Sequence, residues 1–306
     1  MFTPLPRPRQ LTLATAGKGG VFHPLGRALA TIVNRHCDGI HLNVLVTSGT
    51  AENMALLADG TADLALAQSD LAWAATQGQL AGQLSPLALH TLLQTITGYL
   101  HIVTLAGSGI ASVDDLRGKR VSTGLAGSGS TIKAMRVLDA FGIGPHDLGA
   151  HLQLEYPEAA RALTEGSIDA FAWDAPLPGK AISELADATG GAIRLLDTAE
   201  AVPQMGRRHG PFYFAATIPA GSYQGLHQDV GAAAGKTLLV APPSLPALLA
   251  ADITRALLQH AHELAELLPA AREITPAAAA AGSAVPFHPG ALSCLHELGL
   301  APPDYL

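Results

Sequence analysis

The sequence predicts an α/β protein built as two lobes. Three observations carry that reading. Short apolar runs alternate with amphipathic, helix-length segments. The alternation returns about 106 residues later. The chain has 306 residues, enough for two domains of ~100–200 residues each.

Composition narrows the class. Charged residues make up 14% against a typical ~25%, and mean hydropathy is +0.27. A disordered polar chain needs the opposite balance. The 32 glycines and 21 prolines interrupt helical segments too often for a coiled coil. A net charge of −7 gives no nucleic-acid footprint. The most apolar stretch, residues 87–106, is broken by His90, Gln94, Gly98 and His101, short of the ~20 apolar residues a spanning helix needs. The expectation is a soluble chain with much buried surface.

The elements follow in order. Residues 11–14 form an apolar run ending in Gly17-Lys18-Gly19-Gly20. Leu25, Ala28, Leu29, Ile32, Val33 and Cys37 recur at helical spacing, and Gly39 stops that helix. Residues 41–47 read as a strand. Thr50 is placed to cap a helix over 51–59 that Gly60 closes. Residues 64–68 read as a short buried strand. The order β-α-β-α-β favours a parallel sheet. In the second lobe, 120–123 is a strand, 131–141 a helix stopped by Gly142, 152–155 a strand, 158–165 a helix stopped by Gly166, and 168–173 a strand.

The return is residue-specific. Gly17, Gly20 and Leu25 reappear as Gly124, Gly127 and Ile132. Glu52, Leu57, Gly60 and Asp63 reappear as Glu158, Leu163, Gly166 and Asp169. Strands over 99–105 and 213–218 carry the chain between lobes. An apolar run follows at 236–240, then a long helix at 246–268 and a short one at 277–281. The expected division is 11–101 with 213–306 as the first lobe and 102–212 as the second. Residues 1–10 read as an extended lead-in without the apolar core of an intact signal peptide.

Ligands of open α/β sheets sit beyond the carboxyl ends of the strands. The loop from Gly124 to Thr131 (GLAGSGST) has P-loop spacing, with Ser130 where the phosphate-binding lysine belongs. An NTPase is therefore disfavoured. A Gly-rich turn entering a helix still offers N–H groups and a positive dipole end to an oxyanion, and Ser128, Gly129, Ser130 and Thr131 stand there. Its counterpart holds Gly20, Val21, Phe22 and His23. Phe22 reads either as a ligand-packing ring or as core. His23 either faces a ligand or bonds the backbone. Ser48, Thr50 and Asn53 form a second hydroxyl- and amide-rich helix start, and one of them is expected to act as a cap. Gln68 and Asp174 lie at strand ends; Asp174 reads either as the holder of an ammonium group or as a turn residue.

Metal and catalytic patterns are weak. His260 and His262 on a continuous helix point in different directions. His288 and His296 lack a ligand spacing. Cys37 and Cys294 belong to no CxxC pattern and read as two small thiols or one bridge. No GxSxG elbow occurs. The expectation is no enzyme, no metal and no cofactor.

Five segments in order resemble the TAXI-type substrate-binding proteins of bacterial TRAP transporters: 17–30 (GKGGVFHPLGRALA), 47–70, 108–131, 218–226 (IPAGSYQGL) and 285–292 (VPFHPGAL). The resemblance implies a type II periplasmic-binding-protein fold that closes on a small organic carboxylate, glutamate-like or a dicarboxylate. It implies a ligand shell drawn from Gly20, Val21, Phe22, Ser48, Asn53, Gln68, Ser128, Gly129, Ser130 and Thr131. It also implies delivery to the membrane subunits of a TRAP permease and a periplasmic location, the leader having been removed. The receptor is expected to be a monomer with no nucleic-acid partner. Phe22-His23 departs from the family's tyrosine-rich pair, and Asp174 stands where a glycine is usual. An Asp174 facing the ligand favours an amino group on it. Rival readings are the binding protein of an ABC importer for a sulfonate or pyrimidine, and an enzyme on the same two-lobed fold.

Overall fold

A computed structural model describes residues 9–80 and 85–302. Of the expected lead-in, residues 1–8 lie outside the described residues, and Arg9 and Gln10 already belong to the first strand. The chain divides into two units, 9–96 with 237–302 and 97–236. No helix among the described residues is long and apolar enough to cross a membrane.

The first unit opens with β1 (Arg9–Ala14), α1 (Phe22–His36), β2 (Ile40–Leu45), α2 (Thr50–Ala58), β3 (Leu64–Gln68) and α3 (Ser69–Thr76). β1 pairs in parallel with both β2 and β3. The sequence pattern explains α1: Leu25, Ala28, Leu29, Ile32 and Val33 form one buried stripe against the sheet. Gly26 lets α1 approach β1's end, since a Cβ there would lie 2.3 Å from Thr15 Cγ2. Gly49 rather than Thr50 precedes α2, and Thr50 makes no side-chain cap.

β4 (His90–Leu105) begins in the first unit and continues into the second. The second unit holds β5 (Arg120–Ser122), α4 (Gly129–Ala140), β6 (Ala150–Leu152), α5 (Tyr156–Thr164), β7 (Ala170–Ala175), α6 (Lys180–Ala188), β8 (Ile193–Leu195), α7 (Val202–His209) and β9 (Tyr213–Ile218). β5 pairs in parallel with β6 and β7, and β7 runs antiparallel to β4. β10 (Val230–Ala241) pairs antiparallel with β9 in the second unit and with β3 in the first. The first unit closes with α8 (Ala247–Gln259), α9 (Ala261–Leu267), α10 (Pro276–Ala279) and α11 (Pro289–Glu297).

Three differences from the sequence reading have physical causes. The unit boundary falls later than 212/213, because β9 and the first half of β10 pair inside the second unit. That half, Val-Gly-Ala-Ala-Ala-Gly, has almost no β-branched residues and reads poorly as a strand. β4 starts at His90 and not near Tyr99, with its first half buried on both faces. The long helix expected at 246–268 breaks at His260, whose φ of −107° and ψ of 27° end α8 and start α9.

The internal repeat is structural. In the first unit Asp63 N–H donates to Thr12 O (3.0 Å) while Thr12 N–H donates to Asp63 Oδ2 (2.8 Å). In the second, Asp169 N–H donates to Arg120 O (2.8 Å) and Arg120 N–H to Asp169 Oδ2 (2.7 Å). Each aspartate thus ties the end of one α–β connection to the first parallel strand of its unit. Gly60 and Gly166, which stop the preceding helices, sit at φ of +78° and +71°, where only glycine is unstrained.

Candidate functional site

The two Gly-rich loops occupy the carboxyl ends of β1 and β5, the first parallel strand of each unit. In the second unit Ser128 caps α4: its Oγ accepts from Thr131 N–H at 3.2 Å. Thr131 is buried, and its hydroxyl is directed to the carbonyls of Thr123 (3.1 Å) and Leu125 (2.7 Å). It closes the loop. Ser130 Oγ accepts from Asp174 N–H at 3.1 Å, joining the loop to β7. Among the described residues, the backbone N–H groups of Gly129 and Ser130 have no protein acceptor. They are orphan donors at the positive end of α4.

α1 repeats this in the first unit. Gly20 N–H closes the turn on Gly17 O at 3.0 Å, and Leu25 N–H is the first to bond back into the helix, to Val21 O. The N–H groups of Val21, Phe22 and His23 have no acceptor among the described residues. The Val21 and Phe22 side chains pack on the apolar core, which is the core reading of Phe22. His23 lines an open groove of about 430 Å³ along α1 and β2, together with Lys18, Arg27, Thr31, Asn34 and Asn43. Burial, then the charges of Arg27 and Lys18, hold its pKa below the ordinary value.

The other first-unit residues brace the loops. Asn53 is fully buried: Nδ2 donates to Thr15 O (2.7 Å) and Leu66 O (2.8 Å), and Oδ1 accepts from the Thr47 hydroxyl (2.7 Å). It ties the chain after β1, the segment after β2, and β3. Thr50 Oγ1 accepts from Gln68 N–H at 3.3 Å. The expected cap role falls to neither. Ser48 is exposed, and both its N–H and its hydroxyl donate to Glu52 Oε2, at 2.6 and 2.7 Å, which lowers the Glu52 pKa. Gln68 is buried at the end of β3. The structure therefore brings Gly20–His23 and Ser128–Thr131 to the two loop ends, and it gives Asn53 and Thr50 supporting roles behind the first.

Asp174 is the largest departure. Its carboxylate receives the ammonium of Lys133, Nζ to Oδ1 at 2.7 Å, with side-chain exposures of 2% for Lys133 and 7% for Asp174. Lys133 Nζ also donates to Gly98 O at 3.2 Å. The backbone at Gly98 passes close to this carboxylate, since a Cβ there would lie 2.7 Å from both Asp174 carboxylate oxygens. The carboxylate is paired with a cation from within its own unit. Sequence reasoning missed Lys133. Its one signal is a lysine on the buried stripe of α4 with Ala134, Val137 and Leu138.

Beside this pair lies a neutral relay. Gly179 N–H donates to Tyr223 Oη (2.8 Å), Tyr223 donates to His101 Nε2 (2.8 Å), and His101 Nδ1 donates to Tyr99 O (2.9 Å). Burial lowers the His101 pKa to about 4 and raises that of Tyr223 to about 12. The unfolded chain binds a proton on His101 at higher pH than the native one does. Stability from this residue is full above about pH 6.5 and is lost as pH falls towards 4, by about 3 kcal/mol in all. Urea denaturation between pH 7 and 4 should show that slope, and His101→Gln should flatten it.

Both cysteines are free thiols, and burial raises the pKa of Cys37 to about 11. They form no bridge.

The paired α/β units, with helix starts presented at the carboxyl ends of parallel strands, give the chain the fold of solute-binding proteins. It superimposes on PhnD1 from Prochlorococcus marinus in complex with methylphosphonate with a TM-score of 0.58 at 11% identity, covering 86% of this chain and 90% of that one. A TctC solute binding protein from Polaromonas gives 0.52 at 17% identity, covering 88% of each chain. The chain belongs to the NMT1-like family, whose model matches residues 13–299.

Proposed function

We propose that this protein is an extracytoplasmic solute receptor, not an enzyme, that binds a small organic carboxylate by hinge closure and delivers it to a TRAP permease. The observation that carries the reading is the set of orphan N–H donors at two helix starts, Val21–His23 and Gly129–Ser130. Such donors suit an anionic group without a buried counter-charge. Each hydrogen bond to a charged group contributes ~1.5–3 kcal/mol, so a few reach micromolar affinity after ordering costs. The TRAP partner rests on the five-segment resemblance to TAXI-type proteins. The internal neutralisation of Asp174 by Lys133 removes the reason to expect an amino group on the ligand. It favours a dicarboxylate or 2-oxoacid over a glutamate-like amino acid. A second reading is the receptor of an ABC importer for another small oxyanion, and PhnD1 with its methylphosphonate favours it.

The test is calorimetric titration of refolded, ligand-free protein with succinate, 2-oxoglutarate, glutamate and methylphosphonate. Saturable heat with an organic acid supports the first reading, and heat with methylphosphonate alone supports the second. Gly129→Pro deletes one donor at the first helical position, where proline is tolerated, after an extended Ser128 (φ −70°, ψ 153°) that suits a pre-proline residue. It should weaken ligand binding about 10- to 100-fold with little change in melting temperature. Unchanged affinity in this variant rules out the α4 start as the anion site.

A further inference from the structure

The break at His260 creates a cluster that the sequence pattern hid. His36 ends α1, His260 stands between α8 and α9, and Glu263 lies on α9. His36 Nε2 lies 2.8 Å and His260 Nδ1 2.9 Å from the same oxygen, Glu263 Oε1. The two imidazoles stack with centroids 3.5 Å apart and planes within 7°. One ligand atom from each of the three residues lies within 4.8 Å of the others. Arg35 donates to the other carboxylate oxygen, Oε2.

We propose that His36, His260 and Glu263 form a binding site for a divalent transition-metal ion of the Zn²⁺, Co²⁺ or Ni²⁺ type. Two imidazole nitrogens already converge on one point, as metal ligation requires. An ion seated between the two nitrogens and Glu263 Oε1, with bonds of ~2.0–2.1 Å, sets its tetrahedral ligand atoms ~3.3–3.4 Å apart, so the present 2.8 and 2.9 Å nitrogen–oxygen contacts open by only about 0.5 Å. Because the rings are stacked, they must also fan apart so that the ion enters both ring planes. At 24%, 29% and 18% exposure, the three side chains leave a path in from solvent for the ion. Ligation uses the lone pairs on His36 Nε2 and His260 Nδ1, so each ring keeps its proton on the opposite nitrogen and any excess proton leaves to solvent. Two imidazoles and one carboxylate suit borderline transition ions and not Mg²⁺ or Ca²⁺, which take oxygen sets. Arg35 holds the outer oxygen of Glu263 in the manner of an outer-shell partner. Three protein ligands leave a fourth position for water or an external group. The α8–α9 break overturns the expectation of a continuous helix on which His260 offers no site. The partner of His260 is His36, not His262, whose ring centroid lies 6.3 Å away and tilted by 40°.

The experiment uses the full chain without an affinity tag, stripped with EDTA. Titration with Zn²⁺, and separately with Co²⁺ followed by its visible absorption, should give one saturable site. His260→Gln and Glu263→Gln should each weaken it at least 10-fold, as should His36→Gln, while His262→Gln leaves it unchanged. Mg²⁺ should not compete. Absence of a saturable site in the parent chain, or parental affinity retained in His36→Gln and His260→Gln, overturns the assignment. Glu263→Gln keeps the side-chain shape, so a melting curve matching the parent's with lost Co²⁺ bands separates ligation from a merely structural role.

Discussion

Replacing Lys133 by methionine destabilises the second unit by about 3–5 kcal/mol, the cost of removing one member of a buried ion pair. Asp174 then has Ser130 Oγ on its backbone N–H but no longer the Lys133 ammonium on Oδ1. The double variant Lys133→Met/Asp174→Asn removes both charges and should recover at least half of the loss, since well-packed neutral replacements of buried pairs are often nearly neutral. Urea unfolding of the single and double variants checks this. A single-variant loss under 1 kcal/mol shows that water reaches the pair and that the carboxylate is screened. The same result would reopen Asp174 as a contact for a cationic group on the ligand.

Asn53→Ala should cost about 2–4 kcal/mol, and the loss should appear in stability before it appears in ligand binding. The substitution takes the Asn53 amide from Leu66 O (2.8 Å) and from Thr15 O (2.7 Å), and leaves the Thr47 hydroxyl with Thr15 O (2.9 Å) as its acceptor. Each buried polar atom left unpaired costs ~1–3 kcal/mol. Asn53→Asp, of the same shape, should be at least as damaging, because its charge would face two carbonyl oxygens. Denaturant midpoints for both variants, set against their ligand affinities, distinguish a brace from a contact. A variant with normal stability and no ligand binding would move Asn53 back to the ligand shell.

Much of the molecule is legible in its sequence because short-range chemistry encodes it. Gly60 and Gly166 stop helices where left-handed backbone is needed, and the apolar stripe of α1 is continuous. The repeat of Asp63 as Asp169 marks the same reciprocal backbone bonds in both units. The helix starts at Val21–His23 and Ser128–Thr131 follow from glycine spacing alone. What stayed hidden depends on residues far apart. Lys133 and Asp174 meet across 41 positions, and Arg35 reaches Glu263 across 228. No local pattern marks either pair. Thr50 and Asn53 looked like cap or ligand groups because hydroxyls and amides serve both purposes; only their burial among three strand ends shows which side chain braces the sheet. The strand β10 was half hidden for the opposite reason, since alanine and glycine carry little preference of their own and take the strand from their neighbours.

The way β4 and β10 carry the chain also sets a timetable. The second unit is one contiguous stretch, 97–236, whereas the first is assembled from pieces on either side of it. In a chain made from its amino end, β1, β2 and β3 leave the ribosome early. The partner that pairs Gln68 with Thr237 and Leu66 with Leu239 arrives only after the whole second unit has been made. The contiguous unit can therefore complete itself first. The split unit must meanwhile keep the fully buried strand β3 with one side unpaired, the kind of open edge that invites mispairing. Its last contacts are of long sequence separation and correspondingly slow. Of the two units, the split one is where delayed synthesis or a slow folding step exposes the chain to aggregation.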